Sequence, residues 1–409
     1  MMIKDKGKTF FITILFLVLA IGLAITAPWQ MSYDAARFML PWLDNMKVNG
    51  ILAMYKPVEL APFPMDYPPL YYSLMYIFTN NFLDLSNTQQ SVVVIRLFAV
   101  IINLLFIYFL IKFVDKKMGI AYAFFIPTLI GSAVWAQSDS FFIFLFFLFF
   151  YSYYKKNNIT LMSIIYALMV CLKLQGLYFL PVYLVLLFGS KNDKTEKVNA
   201  FIYGIVVGAI IWLPWLIVEG PGLFFKIYLG SAAQEAIWGM GGNFPFVISF
   251  FAGIRTMPVV GELKTLYTLI NIYTLLLCVA LFIWLLNRSK DILYTTAFYL
   301  FMIFMLTLHQ YERYEIYTWG VLFFIVSTNF KYQEYSDDRQ KRIKRIFVLI
   351  SLANILNFTA PILLNPYNNL LLIGTYMYLF AFVINVCALI IFVLDISSFI
   401  NRNKEGGII

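Results

Sequence analysis

Asp34 follows the first long apolar run by only a few residues, with Arg37 three positions on. A carboxylate held at such a place can take a proton from a hydroxyl, the task of a general base. An aspartate before AARFMLPW is equally a good helix N-cap, and the sequence leaves both roles open. Asp66 and Tyr67 precede Pro68 and Pro69, where proline suits a first helical turn, so this group either starts a helix or meets a ligand at its start. In WAQSDS, Trp135, Gln137 and Asp139 close one apolar run and open the next. A carboxylate there must meet water, a cation or a ligand, or cap the following helix. Lys173, two residues before Gln175, lies between two apolar runs, where a cation either pairs with an anion or snorkels to an interface. Late in the chain, HQYERY places His309, the single histidine, near Glu312 and Arg313. A guanidinium grips phosphate oxygens through two parallel bonds, which makes Arg313 the phosphate-binding candidate. Glu312 can bind or simply neutralise it, and His309 can orient a phosphate or serve as an interfacial hydrogen-bonding residue. These types suit proton transfer from a hydroxyl beside a bound phosphate.

A membrane scaffold must position them. With 62% hydrophobic and 12% charged residues and a mean hydropathy of +0.81, the chain lies outside the range of soluble domains. Apolar runs near 10–27, 92–114, 119–135, 140–154, 159–173, 174–189, 198–218, 264–286, 292–308, 315–329, 346–364 and 370–397 read as about twelve transmembrane helices, each needing about 20 apolar residues. Residues 68–83 are too few to cross and read as a re-entrant or interfacial helix. The expected fold is an all-α polytopic membrane protein of one domain over residues 1–409. Its first external loop, 28–91, carries short interfacial helices, and a second large external loop spans 219–263. Most of the 30 Lys and Arg then fall on one face, in clusters such as Lys112, Lys116 and Lys117, or Lys191, Lys194 and Lys197. The positive-inside rule makes that face cytoplasmic, with both termini. The segments bearing Asp34, Asp139, Lys173 and Arg313 lie opposite, on one extracytoplasmic surface. Residues 332–345 read as a charged, solvated cytoplasmic connector. No cleavage pattern precedes the first apolar run, which reads as a retained anchor; the Lys-, Asn-, Ile- and Phe-rich usage points to an AT-rich bacterial genome, and the expected location is a bacterial plasma membrane.

The same reading excludes several classes. The net charge of +9 comes from short clusters between apolar runs and follows from topology, so nucleic acid is not an expected partner. Cys171, Cys278 and Cys387 fall inside apolar runs and imply neither a disulfide nor a metal framework. There is no nucleotide-binding glycine loop, no HExxH or CxxC spacing and no Ser/His/Asp order. No cofactor is required, although a divalent cation between Asp34, Asp139 and a phosphate is compatible with the residues. Trp29, Trp42, Trp238, Tyr71 and Tyr72 suit an interfacial belt and sugar stacking equally.

The first-loop Asp34, the run Asp66-Tyr67-Pro68-Pro69-Leu70-Tyr71-Tyr72, Trp135-Ala136-Gln137-Ser138-Asp139-Ser140, Leu172-Lys173-Leu174-Gln175 and Glu312-Arg313-Tyr314 occur in that order. The ordered set resembles the integral-membrane glycosyltransferases of fold class C, in the branch of bacterial relatives of the GPI-anchor mannosyltransferases and dolichyl-phosphate-sugar enzymes. The resemblance extends from the first span to about Tyr314. It implies that Asp34 is the base and that Trp135, Gln137, Asp139, Lys173 and Gln175 belong to the site. Two departures stand out: Ala136 occupies the place of a usual glycine, and HQYERY replaces HERY, so Tyr311 takes the histidine's place or His309 has shifted by two residues. It also implies a polyprenyl-phosphate-linked sugar donor and a glycan or glycolipid acceptor. The reaction is then an inverting transfer, with Arg313 and Lys173 stabilising the departing phosphate. Two rivals remain at this level: a transporter or flippase for lipid-linked saccharides, and a lipid-linked glycan polymerase or ligase. The first should carry charge at mid-membrane and on both faces, and the second should favour arginines in a large late loop, where 219–262 offers only Lys226 and Arg255.

Overall fold

Short polar side chains set where the helices begin. In the computed structural model, Asn87, Asp115, Asn158, Asp193 and Asp291 each accept a bond from the backbone N–H three residues on. Each satisfies a donor that the first turn cannot, a contribution of about 1 kcal/mol per cap. The structure describes residues 2–57, 65–84, 86–230, 236–237, 241–251, 257–258, 262–308, 312–328, 335–363 and 371–405. They are helical apart from turns, connecting loops and one pair of two-residue strands, Ala236–Ile237 and Met257–Pro258. The chain forms two compact units, Met1–Ser231 and Ala232–Ile409.

The first unit contains α1 (Met2–Thr26), α2 (Leu40–Asn49), α3 (Pro69–Thr79), α4 (Thr88–Phe109), α5 (Lys116–Ala123), α6 (Ile126–Ala133), α7 (Asp139–Tyr154), α8 (Ile159–Leu172), α9 (Leu180–Gly189), α10 (Lys194–Glu219) and α11 (Gly222–Gly230). α4 packs on α1, α6 and α7, while α8 lies between α7 and α10. The α8–α10 approach depends on Gly204, where a Cβ would stand 3.0 Å from the Ser163 carbonyl oxygen. The expected span at 119–135 is not continuous. It breaks into α5 and α6 at Phe124 and Phe125, because Pro127 in the first turn of α6 has no N–H with which to continue the ladder. The Thr128 hydroxyl closes the break by donating to the carbonyls of Tyr122 and Phe125. α3 is an 11-residue helix, about 16 Å long at 1.5 Å per residue, and so falls short of a bilayer core of about 30 Å.

The second unit contains α12 (Phe244–Phe251), α13 (Glu262–Ser289), α14 (Ile292–Leu306), α15 (Ile316–Thr328), α16 (Asp337–Leu363) and α17 (Leu371–Glu405). α16 and α17 pack along each other, and α14 lies between α13 and α15. The connector expected to be solvated is in part the first turns of α16, and Arg339 there is buried. Its guanidinium meets Asp291 at 3.2 Å and Asp395 at 3.2 Å, and Arg342 reaches Asp395 at 2.5 Å. Two arginines and two aspartates cancel, which lets α14, α16 and α17 bury charge together.

Among the described residues, five helical segments are long and apolar enough to cross a bilayer: Thr88–Val114, Lys194–Glu219, Thr268–Ser289, Asp337–Ile362 and Ile373–Ser398. Shorter apolar helices accompany them at Ile14–Thr26, Asp139–Tyr154, Ile159–Leu172, Leu174–Gly189 and Ile292–Leu306. Large apolar side chains face outward from α10 and α13, Ile217 being 73% exposed, as lipid-facing helices require. The protein is an all-α, multi-pass membrane protein.

Candidate active site

Asp34 stands where a cap belongs, but its side chain makes no capping bond to the turn that follows. Its Oδ2 instead accepts a 2.8 Å hydrogen bond from Gln137 Nε2, 103 residues away. A neutral amide orients a carboxylate without cancelling its charge, which is the state a proton acceptor needs.

Gln137 is delivered by the turn between α6 and α7. Its N–H bonds the Gly131 carbonyl at 2.8 Å, and Tyr71 on α3 donates to the Ala136 carbonyl at 3.1 Å. Ala136 has φ +58°, in the left-handed region that glycine occupies more cheaply. Trp135 and Gln137 are both buried.

Asp139 is the first residue of α7, one position past the cap. Its Oδ1 lies 2.7 Å from Lys173 Nζ, with both side chains almost wholly buried. The anion that Lys173 was expected to seek in a substrate is, in this structure, Asp139. Lys173 leaves α8 in an extended conformation and opens a 3-10 turn, Leu174–Phe179. That turn folds back closely: a Cβ on Gly176 would stand 2.7 Å from Val170 Cα, so only glycine allows the approach. Gln175 is buried beside it, its Oε1 without a hydrogen-bond partner.

Asp66 and Tyr67 lie in the loop before α3. Tyr55 donates to the Tyr67 carbonyl at 2.9 Å, and the rings of Trp42, Tyr67 and Tyr72 pack with centroids 5.4–6.2 Å apart. Tyr72 is within electrostatic reach of both Asp66 and Asp34, and Tyr71 of Asp139. Burial pushes the Asp66 carboxyl from its ordinary 3.8 up to about 6. Its protonated form is thus favoured in the folded state. The stability this contributes is complete below about 3.8 and is lost as pH rises through about 6. Thermal unfolding in detergent should show a decline over that window that Asp66→Asn flattens; an unchanged profile in Asp66→Asn would exclude Asp66 as its source.

Arg37 is exposed, its guanidinium 5.1 Å from the centre of the Tyr33 ring. Arg313 belongs to the second unit, where it is buried at the start of α15 with its guanidinium 5.7 Å from the Tyr314 ring. The Glu312 side chain and His309 lie outside the described residues, as does Trp238. Within the first unit the structure pairs Asp34 with Gln137 and Asp139 with Lys173, and Tyr71 ties α3 to the turn that bears Gln137. Among the described residues, no three His, Cys, Asp or Glu side chains are grouped to hold a metal ion. Sequence reasoning missed Ser32, the Tyr71 hydroxyl and Arg96. Only Arg96 had a signal, as a lone cation inside an apolar run.

No protein-family model matches the chain, and no curated protein matches it. Comparison with solved structures returns the crystal structure of ArnT from Cupriavidus metallidurans bound to undecaprenyl phosphate. The identity is 13% over 96% of this chain and 78% of that one, with a TM-score of 0.45, a similarity too low to transfer a fold or a ligand.

Proposed function

We propose that this chain is an integral-membrane glycosyltransferase of fold class C. It moves a sugar, mannose or another hexose, from a polyprenyl-phosphate carrier to a hydroxyl of an extracytoplasmic glycan or glycolipid. The observation that carries this reading is the release of Asp34 from helix capping and its orientation by Gln137. Three things support it: the order of the motifs along the chain, the Asp139–Lys173 pair beside the turn that bears Gln137, and the aromatic rings around Tyr67 and Tyr72, which suit a sugar face.

In this mechanism the acceptor oxygen attacks the anomeric carbon and its proton passes to Asp34. The bond from the anomeric carbon to the phosphate oxygen breaks on the opposite side, which inverts the configuration. Polyprenyl phosphate departs with the electron pair. General-base help of this kind contributes about a hundredfold to ten-thousandfold. Lys173 serves the departing phosphate by exchanging Asp139 for a phosphate oxygen. Trp135, Gln175 and Arg37 complete the proposed substrate contacts of the first unit.

The site faces away from the cytoplasm in this reading, with both termini inside. A lipid carrier then delivers the sugar at membrane depth, where no nucleotide sugar is supplied. Incubating the purified protein with a panel of radiolabelled polyprenyl-phosphate sugars tests the activity: transfer from one member is the expected result, and no transfer or hydrolysis from any member rejects it. In intact cells, Asn45→Cys should be labelled from outside and Asn158→Cys should not; the reverse pattern rejects the orientation.

A further inference from the structure

Arg96 lies in α4 and is fully buried, and its described bonds all run to neutral oxygens. A guanidinium out of water must spend its five donors on good acceptors, and the pattern of those acceptors is informative. Nη1 donates to the carbonyls of Ala24 at 3.2 Å and Ala27 at 2.6 Å, and Nη2 to that of Pro28 at 2.8 Å. These belong to the end of α1 and the chain just beyond it. A helix leaves its final carbonyls unsatisfied and its C-terminal end partly negative, so this half of the guanidinium closes α1.

Closing α1 does not require the third nitrogen. Nε donates to Ser32 Oγ at 2.8 Å and to the Val134 carbonyl at 3.1 Å. The Ser32 hydroxyl itself donates to the same Val134 carbonyl, which completes a three-membered knot between segments 102 residues apart. Ser32 is two residues before Asp34, and Val134 is three residues before Gln137. The Nε side therefore ties together, at their roots, the two segments whose side chains meet as the Asp34–Gln137 bond.

We propose that Arg96 is the positioning residue of that pair, fixing the separation of the segment bearing Asp34 from the turn bearing Gln137. The catalytic consequence rests on Asp34 being the base; the geometric claim does not. Lysine cannot substitute, because a single ammonium lacks the fork that reaches α1 and the Ser32–Val134 knot at once.

The test uses the full-length protein in detergent, with Cys171, Cys278 and Cys387 replaced by alanine and Asp34→Cys/Gln137→Cys introduced. Cross-linking by a graded series of short bifunctional thiol reagents reads the separation, whatever the protein's activity. Efficient capture by the shorter reagents is expected when Arg96 is present, and a severalfold fall with a shift to longer reagents in Arg96→Lys. Arg96→Lys also disturbs the end of α1, so Ser32→Ala provides the second variant: it leaves the three bonds to α1 in place and cuts only the knot. It should broaden the reactive lengths while the thermal midpoint holds. Cross-linking in Ser32→Ala identical in yield and length to the parent overturns the proposal.

Sugar transfer is measured in parallel with Asp34 and Gln137 intact. Misplacing a base by about 1 Å costs up to about a hundredfold, so Ser32→Ala should lower kcat at least about tenfold and leave the KM for the lipid-linked donor unchanged. A purely structural role would instead lower the amount of folded protein. If cross-linking responds while the parent transfers no sugar from any donor, the positioning role stands and the transferase reading falls. If the parent is active and cross-linking does not respond, the reverse holds.

Discussion

Asp34→Asn should abolish sugar transfer while leaving folding and membrane insertion intact. The asparagine keeps the shape of the side chain and an oxygen that can accept from Gln137, but it cannot take up a proton. Loss of a general base costs about a hundredfold to ten-thousandfold in rate. The thermal midpoint should scarcely move, because the Asp34 side chain makes no capping bond. Turnover of the purified variant on a lipid-linked sugar, beside its unfolding curve in detergent, checks both parts. Transfer at the unmodified rate rejects Asp34 as the base. An equal collapse of stability would show that the carboxylate serves the fold.

The largest effect on stability should come from breaking the Lys173–Asp139 pair. Lys173→Met takes from the buried Asp139 carboxylate the ammonium 2.7 Å away, and Asp139→Asn takes that carboxylate from the Lys173 ammonium. Removing one partner of a buried pair costs about 3–5 kcal/mol, because the remaining charge is uncompensated. Removing both costs much less, since a neutral pair has no charge to solvate. Thermal unfolding of the two single variants and of Lys173→Met/Asp139→Asn makes a double-mutant cycle. The expected result is strong coupling, with the double variant more stable than either single one. Losses that simply add would show that the two charges do not depend on each other. If Lys173 also serves a departing phosphate, the double variant should recover stability without recovering turnover.

Different parts of this molecule were legible at different levels. Helix positions follow from the solvent preference of each apolar run and from local cap chemistry, both properties of neighbouring residues. Nearly every expected span is helical for that reason. The exception at 119–135 is also local, since Pro127 breaks it, and the break could have been anticipated from that proline alone. The buried Arg339 could not, because its acidic partners Asp291 and Asp395 lie on other helices. A run of charge looks the same in one dimension whether it is solvated or paired.

The candidate site divides along the same line. Residue type and place along the chain marked Asp34, Asp139 and Lys173 as able to do chemistry, and the family resemblance added Gln137. Whether Asp34 caps a helix or faces a partner could not be decided there, since AARFMLPW accepts either role. Tertiary structure decided it by bringing Gln137 across 103 residues. It likewise gave Lys173 an internal anion and Arg96 its hold on both segments. Periodicity and hydropathy report where a residue lies between water and lipid. Pairing depends on which helix ends the packing brings together, and no spacing along the chain encodes that.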